Sequence, residues 1–353
     1  MATAPDLSLS ALLDGKLTLG ISRMCADQFP ARPHFVRAKA CAELLLGKQQ
    51  NNGILAARNG YLISLPKTSA AQLSNARKNL DAVARFSEAM TQREIPFVFA
   101  PVPRSVDVNK SKLPRHYRAI SADEDCRYLA QYANSLGLAL HDLITPLRTA
   151  ADSGQEVWYR TDHHWTSFGA YLAYLSLADA LGYTPYPASA FNPTVVCTDF
   201  LGTAHAASGM SWIKGEPITL FRYPGDDRLQ TEILQNGQMM ARLDGLYDFA
   251  ALKTHDEYNV FLGGTNTHIR VIDPQHPDAP TLLLLKDSFS QSLAPFLARH
   301  FNLVLIDPRT YSTQSETILS LAEEANVDAV LLLYGVDTLF DSFSLRVLEY
   351  GLG

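Results

Sequence analysis

Apolar positions along the chain follow two rhythms, a spacing of three to four residues and the short unbroken run, and they mark its helices and strands in turn. The segment HFVRAKACAELLLG (34–47) has helical spacing and stops at Gly47. NNGILAARNGYLIS (51–64) reads as two short strands joined by an Arg-Asn-Gly turn. Across 69–94, Leu73, Leu80, Val83, Phe86 and Met90 lie on one helical face, and the segment runs into the compact apolar strand PFVFAPVP (96–103). The pattern then predicts a helix over 123–136, a short strand over 137–142, a further helix, and a short strand VWYR (157–160). TSFGAYLAYLSLADALG (166–182) reads as a strongly amphipathic helix with Thr166 or Ser167 as its cap.

Across 183–280 strands are short, turns are frequent and no long helical period survives. The earlier rhythm returns with TLLLLKDS (281–288), a helix at 291–300, NLVLID (302–307), a helix at 314–325 and VDAVLLLYG (327–335). Apolar strands alternating with helices predict an α/β fold, a parallel sheet covered by helices on both faces. Functional residues are then expected just beyond the C-terminal ends of the strands. At about 150 residues per domain, 353 residues make two domains or one with an insertion. The change of texture favours one domain over 1–353, with an N-terminal extension over about 1–66 and a mostly β insertion over about 190–272.

Composition narrows the classes. Hydrophobic residues are 47% of the chain and charged residues 19%, which excludes disorder, collagen and low-complexity repeats. The net charge is −6 and no Lys/Arg cluster occurs, which argues against a nucleic-acid partner. Cys25, Cys41, Cys126 and Cys197 are widely spaced, with neither CxxC nor Cys-His ligand spacing, so neither a disulfide scaffold nor a structural zinc site is expected. One or two disulfides stay open. No apolar run reaches the roughly 20 residues of a membrane span. The start, MATAPDLSLSALLDG, lacks the basic and apolar blocks of a signal peptide. Either a cytosolic protein or one whose export segment has been replaced fits these residues.

Two strand ends carry the chemistry. TDHHWT (161–166) lies between a short strand and a helix, and KDSFS (286–290) follows the apolar run 281–285. A serine on a strand-to-helix turn stands clear of the sheet, where backbone N–H groups can receive an oxyanion. It needs a histidine to take its proton, and that histidine needs a carboxylate to fix its tautomer. Asp162 and His164, two residues apart on one turn, can face a common cleft with Ser288. The plain alternatives are Ser288 and Asp162 as helix caps and the histidines as buried hydrogen-bonded groups. Trp165 reads as a core aromatic that fixes the turn.

TDHHWT followed by an amphipathic helix, with KDSFS after a late strand, resembles the DHHW protein family. That family is related to the alginate O-acetylation proteins of the AlgX/AlgJ type. DQFPARPHF (27–35), NGYLI (59–63), VPRSVDVNKSKLP (102–114), DFLGTAHAASG (199–209), VFLGGTNTHIRV (260–271), LIDPRTYS (305–312) and LLLYGVDTLF (331–340) resemble its landmarks in order. The resemblance implies an SGNH-hydrolase-like (flavodoxin-like) fold with a permuted motif order. It makes Ser288 the nucleophile, His164 the general base and Asp162 its orienting carboxylate, with His163 in a variable place between them. The Ser288 N–H and the Gly263–Asn266 region, above all Gly264 and Asn266, would supply oxyanion donors, and Arg309 would meet substrate or close a surface salt bridge. Gly335 and Asp337 stand where the family often carries Asn, which is a departure near the oxyanion.

The activity so implied is serine-dependent acetyl transfer onto a cell-surface polysaccharide or hydrolysis of its esters. It requires no metal or organic cofactor. A membrane-bound O-acyltransferase would supply the acetyl groups, and the protein would work outside the cytoplasm, membrane-anchored in full length. Two rivals remain: a non-catalytic polysaccharide-binding or assembly protein, and a metal-dependent phosphoesterase built on Asp162, His163 and His164. The first could use Trp212, Phe221, Tyr223, Tyr247 or Tyr258 to stack on sugars, although buried packing is the default for such residues. The second needs further carboxylates after an early strand, where only Asp107 stands.

Overall fold

The computed structural model describes residue 8 and residues 32–66, 68–117, 123–235, 237–313 and 316–352. The first five residues of the DQFPARPHF motif, and the stretch lacking signal-peptide blocks apart from Ser8, lie outside the described residues. Helix α1 (Arg32–Leu45) leads to a small antiparallel sheet of β1 (Gln50–Asn51), β2 (Ile54–Ala56) and β3 (Leu62–Ser64). The expected Arg-Asn-Gly turn joins β2 to β3, with Asn59 and Gly60 at φ 59° and 78°. Asn and Gly are the residues that tolerate this left-handed region.

Helix α2 (Ala70–Gln92) begins at a capping box in which Ser69 and Gln72 satisfy one another's backbone N–H. It is followed by β4 (Phe97–Val102), α3 (Ser105–Val108), α4 (Asp123–Ser135), α5 (Ile144–Asp152) and α6 (Ser167–Leu181). Thr166 caps α6 through the Gly169 N–H, and Gly182 ends it in the left-handed conformation. Then come β5 (Asn192–Phe200), α7 (Thr203–Ser208), β6 (Glu216–Arg222), β7 (Gln230–Gln235), β8 (Gln238–Asp244) and β9 (His268–Ile272). The chain closes with β10 (Thr281–Lys286), α8 (Ser290–Leu297), β11 (Asn302–Ile306), α9 (Ile318–Glu324), β12 (Ala329–Gly335) and α10 (Val336–Asp341).

The main sheet has the order β4-β12-β10-β11-β9-β7-β8. Its first four strands are parallel, and β9, β7 and β8 extend the β11 edge antiparallel. The expected parallel sheet is therefore its core only, because strands from the β-rich stretch pair onto an edge that would otherwise present open N–H and C=O groups. β5 and β6 form a separate two-stranded sheet. Two expected strands shrink to single bridges: 137–142 keeps only Phe99 with Leu140, and 157–160 only Trp158 with Trp165.

Side chains on β10 alternate between two cores. Leu282 and Leu284 join Leu303, Leu305, Leu331 and Leu333 beneath α6 and α8. Leu283 and Leu285 join Val304, Ile306, Val330 and Leu332 beneath α2, α4, α9 and α10. A strand buried on both faces reads as one continuous apolar run, which is why 281–285 carries no alternation. Among the described residues Cys41 and Cys197 are free thiols, and no helix is long and apolar enough to cross a membrane.

The C-terminal segment is held by one buried side chain. Asn79 on α2 donates to Leu339 O (2.8 Å) and Ser342 O (2.7 Å) and accepts from the Leu345 N–H (3.0 Å). Asn79→Leu strands these backbone groups in an apolar core, so unfolding stability should fall by about 3 kcal/mol in urea titration. A loss below about 0.5 kcal/mol would show that the segment is secured elsewhere.

Candidate active site

Residues 161–165 form an irregular loop whose backbone is held by side chains rather than by a strand ladder. Buried Glu216, at the start of β6, accepts the Arg160 N–H (2.9 Å), the Thr161 N–H (2.7 Å) and the Thr161 hydroxyl (2.7 Å). Burial raises its pKa, against the pull of these donors. Trp158 Nε1 donates to His163 O at 2.8 Å, and the Tyr159 N–H to His164 O at 3.1 Å. Trp165 Nε1 reaches across to Phe289 O (3.1 Å) and Ser292 Oγ (2.9 Å), locking this loop to the turn that carries Ser288.

Asp162, His164 and Ser288, expected as neighbours from the sequence, are brought into one hydrogen-bonded chain. His164 Nδ1 lies 2.5 Å from Asp162 Oδ1, and His164 Nε2 lies 2.7 Å from Ser288 Oγ. A carboxylate can only accept, so the imidazole carries its proton on Nδ1 and offers a lone pair to the serine hydroxyl. Asp162 also accepts the His164 N–H (2.9 Å), the Thr203 N–H (2.7 Å) and the Thr203 hydroxyl (2.9 Å). Burial alone would raise its pKa, but the two imidazoles and these donors outweigh it and hold the carboxyl far below its usual range. The His164 ring is stacked on Tyr258 at 4.0 Å and faces His163 at 3.8 Å. Phe289 stands edge-on to it at 5.1 Å.

Ser288 is not a helix cap. The residue before α8 is Phe289, and it makes no side-chain capping bond. Asp287, fully buried, shapes the turn instead, accepting from the Phe289 N–H (3.1 Å), the Gly335 N–H (2.7 Å) and the Thr338 hydroxyl (3.0 Å). Burial raises its pKa, and these donors with nearby Arg309 oppose the rise. The Ser288 N–H makes no hydrogen bond among the described residues and remains open to an oxyanion. The Gly335 N–H is committed to Asp287, and a Cβ at Gly335 would fall 2.9 Å from Asp287 Oδ2 and 3.1 Å from the Phe289 ring.

The cleft over Ser288 is about 240 Å³ and is bordered by His163, Arg104, Arg309, Asp337 and Thr338. Buried Arg104 bridges Asp125 and Asp337, and Arg309 is tied to buried Asp307 through Nε (2.9 Å) and Nη2 (2.6 Å). Arg309 is thus both the ion pair and the cleft residue that the sequence allowed. Gly264 and Asn266 are not part of the cleft lining. Asn266 Nδ2 closes its own turn on Gly263 O (3.1 Å) and Gly264 O (3.4 Å), and Gly264, at φ 92°, has no room for a Cβ beside Asn259. The expected sugar-stacking aromatics are mostly buried: Tyr223, Tyr247 and Tyr258 belong to the core, and Trp212 alone of the five is exposed. Larger recesses lie elsewhere, one of about 560 Å³ near Arg299 and His300 at the N-terminal edge of β10 and β11.

Asp162, His163 and His164 bring three ligand atoms within 4.8 Å of one another, the geometry a metal reading requires. Three of the four imidazole nitrogens and both Asp162 oxygens are already hydrogen-bonded, to Ser288, Thr203 or one another. Asp107 is turned to the Arg104 N–H (2.9 Å) and adds no ligand there. The donor set fits a proton relay better than a metal cage.

A model of the family described as SGNH hydrolase-like domain, acetyltransferase AlgX, matches residues 61–249, more than half of the chain. The chain belongs to this AlgX-type family. The matched stretch includes Asp162 and His164 and ends before Ser288. The probable alginate O-acetylase AlgJ of Azotobacter vinelandii is 24% identical over 221 residues, 62% of this chain and 56% of that protein. The chain spans about half the length of the curated relatives it matches. A DHHW family protein from Eubacterium siraeum superposes with a TM-score of 0.68 at 16% identity, covering 85% of this chain and 96% of that one. The O-acetyltransferase domain of Pseudomonas putida AlgJ gives 0.51 at 16% identity, covering 84% and 99%. These structures share the SGNH-hydrolase-like α/β fold expected from the sequence.

Sequence reasoning missed two residues that shape this site's surroundings in the AlgX-type fold, one making room for it and one straining it. Gly202, within DFLGTAH, allows the chain to pass against Asp162: a Cβ there would lie 2.3 Å from both Asp162 Cβ and Oδ2. Its backbone is extended, so the constraint is space and not φ. Gly202→Ala should therefore keep the fold and displace the Thr203 donors, and any turnover of p-nitrophenyl acetate at this site should fall about 100-fold. Wild-type turnover in that variant would show that Asp162 needs no such packing.

Lys286 is the second. It is fully buried one residue before Asp287, and its Nζ has no hydrogen-bond partner among the described residues. Burial lowers its pKa to about 8, while Asp307 and Asp287 oppose the fall and Arg309 adds to it. Below pH 8 the ammonium is charged folded and unfolded, and the native state bears the whole desolvation penalty. Between pH 8 and 10.5 the unfolded chain holds the extra proton, so this group makes stability rise with pH. Lys286→Met should be more stable than wild type by up to about 3 kcal/mol at pH 7, with the gap closing toward pH 10.5. Paired melts across that range check it, and a constant gap would contradict the buried charge.

Proposed function

We propose that this protein transfers acetyl groups through a Ser288 ester, delivering them to a hydroxyl of a cell-surface polysaccharide or, when water takes that place, hydrolysing the ester. The observation that carries this reading is the unbroken chain from Ser288 Oγ through His164 to Asp162 at 2.7 and 2.5 Å. Ser288 Oγ attacks the acetyl carbonyl while its proton passes to His164 Nε2, and Asp162 stabilises the resulting imidazolium. The tetrahedral oxyanion is received by the Ser288 N–H. Collapse expels the donor's oxygen, which takes the proton from His164, and the acetyl group stays on serine. The acceptor hydroxyl then gives its proton to His164, attacks the ester and leaves as the acetylated product, restoring Ser288–OH.

The AlgJ relatives, named as probable alginate O-acetylases, support a polysaccharide as acceptor; we take a membrane-bound O-acyltransferase as the source of acetyl groups. An extracytoplasmic or cell-surface location goes with that reading. We further take residues 1–353 as one catalytic domain carrying a β-rich insertion over about 190–272, whose Glu216 and Tyr258 brace the site.

Ser288→Ala should reduce hydrolysis of p-nitrophenyl acetate by about 10³-fold or more, with a melting temperature within about 2 °C of wild type. EDTA should leave wild-type turnover intact. Activity that survives the substitution would sink the nucleophile assignment, and loss with EDTA would return the site to metal chemistry.

A further inference from the structure

The relay from Ser288 to Asp162 leaves one imidazole of the cleft without a task. The His163 side chain is 48% exposed, whereas that of His164 is 6% exposed. His163 Nδ1 lies 2.6 Å from Thr203 Oγ1. The Thr203 hydroxyl has a single proton and lies 2.9 Å from Asp162 Oδ2, which can only accept. That proton therefore points at Asp162, and Thr203 Oγ1 accepts from His163. Nδ1 carries the imidazole proton and Nε2 is a bare lone pair.

His163 Nε2 makes no hydrogen bond among the described residues, and the residue borders the cleft beside Ser288. Burial of the ring, with the neighbouring His164, lowers its pKa to about 4, while Asp162 and Asp337 pull upward and Arg309 downward. The ring is thus neutral at working pH and presents an acceptor beside the serine ester. Water attacking that ester brings no second hydroxyl. A sugar does, on the carbon next to the reacting one.

We propose that His163 is the acceptor-recognition residue of this site, its Nε2 taking a hydrogen bond from the acceptor hydroxyl vicinal to the one that is acetylated. This rests on the acyl-transfer reading above and adds a basis for choosing a diol over water. No bond to His163 forms or breaks; it positions the acceptor while His164 handles the proton.

The test uses p-nitrophenyl acetate as donor and, at equal concentration, trans-1,2-cyclohexanediol or cyclohexanol as acceptor, with acetylated alcohol and free acetate both quantified. Wild type should transfer to the diol about tenfold better than to the mono-alcohol. His163→Phe should erase that preference by raising the diol KM, with transfer to the diol falling by a larger factor than p-nitrophenol release without acceptor. His163→Gln, whose amide oxygen can accept, should recover most of it. No diol preference in wild type, no transfer to either alcohol, equal loss of transfer and hydrolysis in His163→Phe, or Gln no better than Phe would each overturn the assignment. Ser288→Ala in the same assay separates the two readings: a serine-independent ester turnover defeats the acyl-transfer reading itself, whereas serine-dependent turnover with an unmoved partition ratio defeats only the role of His163.

Discussion

A carboxylate buried with no Lys or Arg partner among the described residues governs this site. Asp162 is 2% exposed and compensates for lost hydration with donors from two segments, His164 on its own loop and Thr203 at the start of α7. A desolvated anion is tolerable only when its lone pairs are filled, so those segments must close together for either to be stable. Gly202 supplies the space for that closure. The same set of bonds fixes two tautomers, because Oδ1 takes the proton side of His164 and Oδ2 takes the hydroxyl proton that makes Thr203 an acceptor toward His163. One ionised group therefore determines which ring nitrogens face the cleft.

The second constraint is the β10 strand end. Leu282–Leu285 are buried on both faces of the sheet, so the strand has little freedom to shift along its neighbours. The turn beyond the strand inherits that rigidity: Asp287 is pinned by Gly335 and Thr338 from the β12–α10 turn, and Phe289 packs its ring against His164 and Trp165. Ser288 is held on a turn whose geometry is imposed by a carboxylate and a ring. Lys286 is the unfavourable element of this arrangement. A buried ammonium next to Asp307 and Asp287 destabilises the fold while placing positive charge behind the Ser288 turn.

The parts of this structure that could be read along the chain are those whose signal is local. An apolar run at 281–285, helical spacing at 69–94, and an Arg-Asn-Gly turn each specify themselves, because the period or the turn residue carries the physical reason. The neighbourhood of Asp162, His164 and Ser288 was legible for a different reason: unlike side chains in a row follow no packing period and ask for a chemical one. The expectations that failed depend on pairing at a distance. Nothing within 230–272 says that β7 and β9 join the edge of β11 and not one another alone, since an edge is satisfied by whichever strand the tertiary fold brings to it. Asn266 looked like a donor beside small residues, and those same residues let its amide close on Gly263 and Gly264. Tyr258 was open to either a sugar platform or buried packing, and sequence alone could not show that His164 covers it.

The failed strand at 157–160 explains how the site loop comes to be irregular at all. Regular pairing would fill its N–H and C=O groups and leave each side chain alternating between faces, which separates neighbours in sequence. Here only Trp158 and Trp165 pair, and N–H groups between them go to two buried carboxylates, Glu216 and Asp162. Freed from alternation, the His163 and His164 rings lie tilted against each other at 3.8 Å, His163 bordering the cleft and His164 reaching Ser288. The replacement of a backbone ladder by buried acids is thus what brings these adjacent residues together beside Ser288. It also ties the β-rich stretch to the chemistry. Glu216 comes from β6, more than fifty residues along the chain from the loop, and it supplies the acceptors without which residues 160 and 161 would carry unsatisfied N–H groups in the interior.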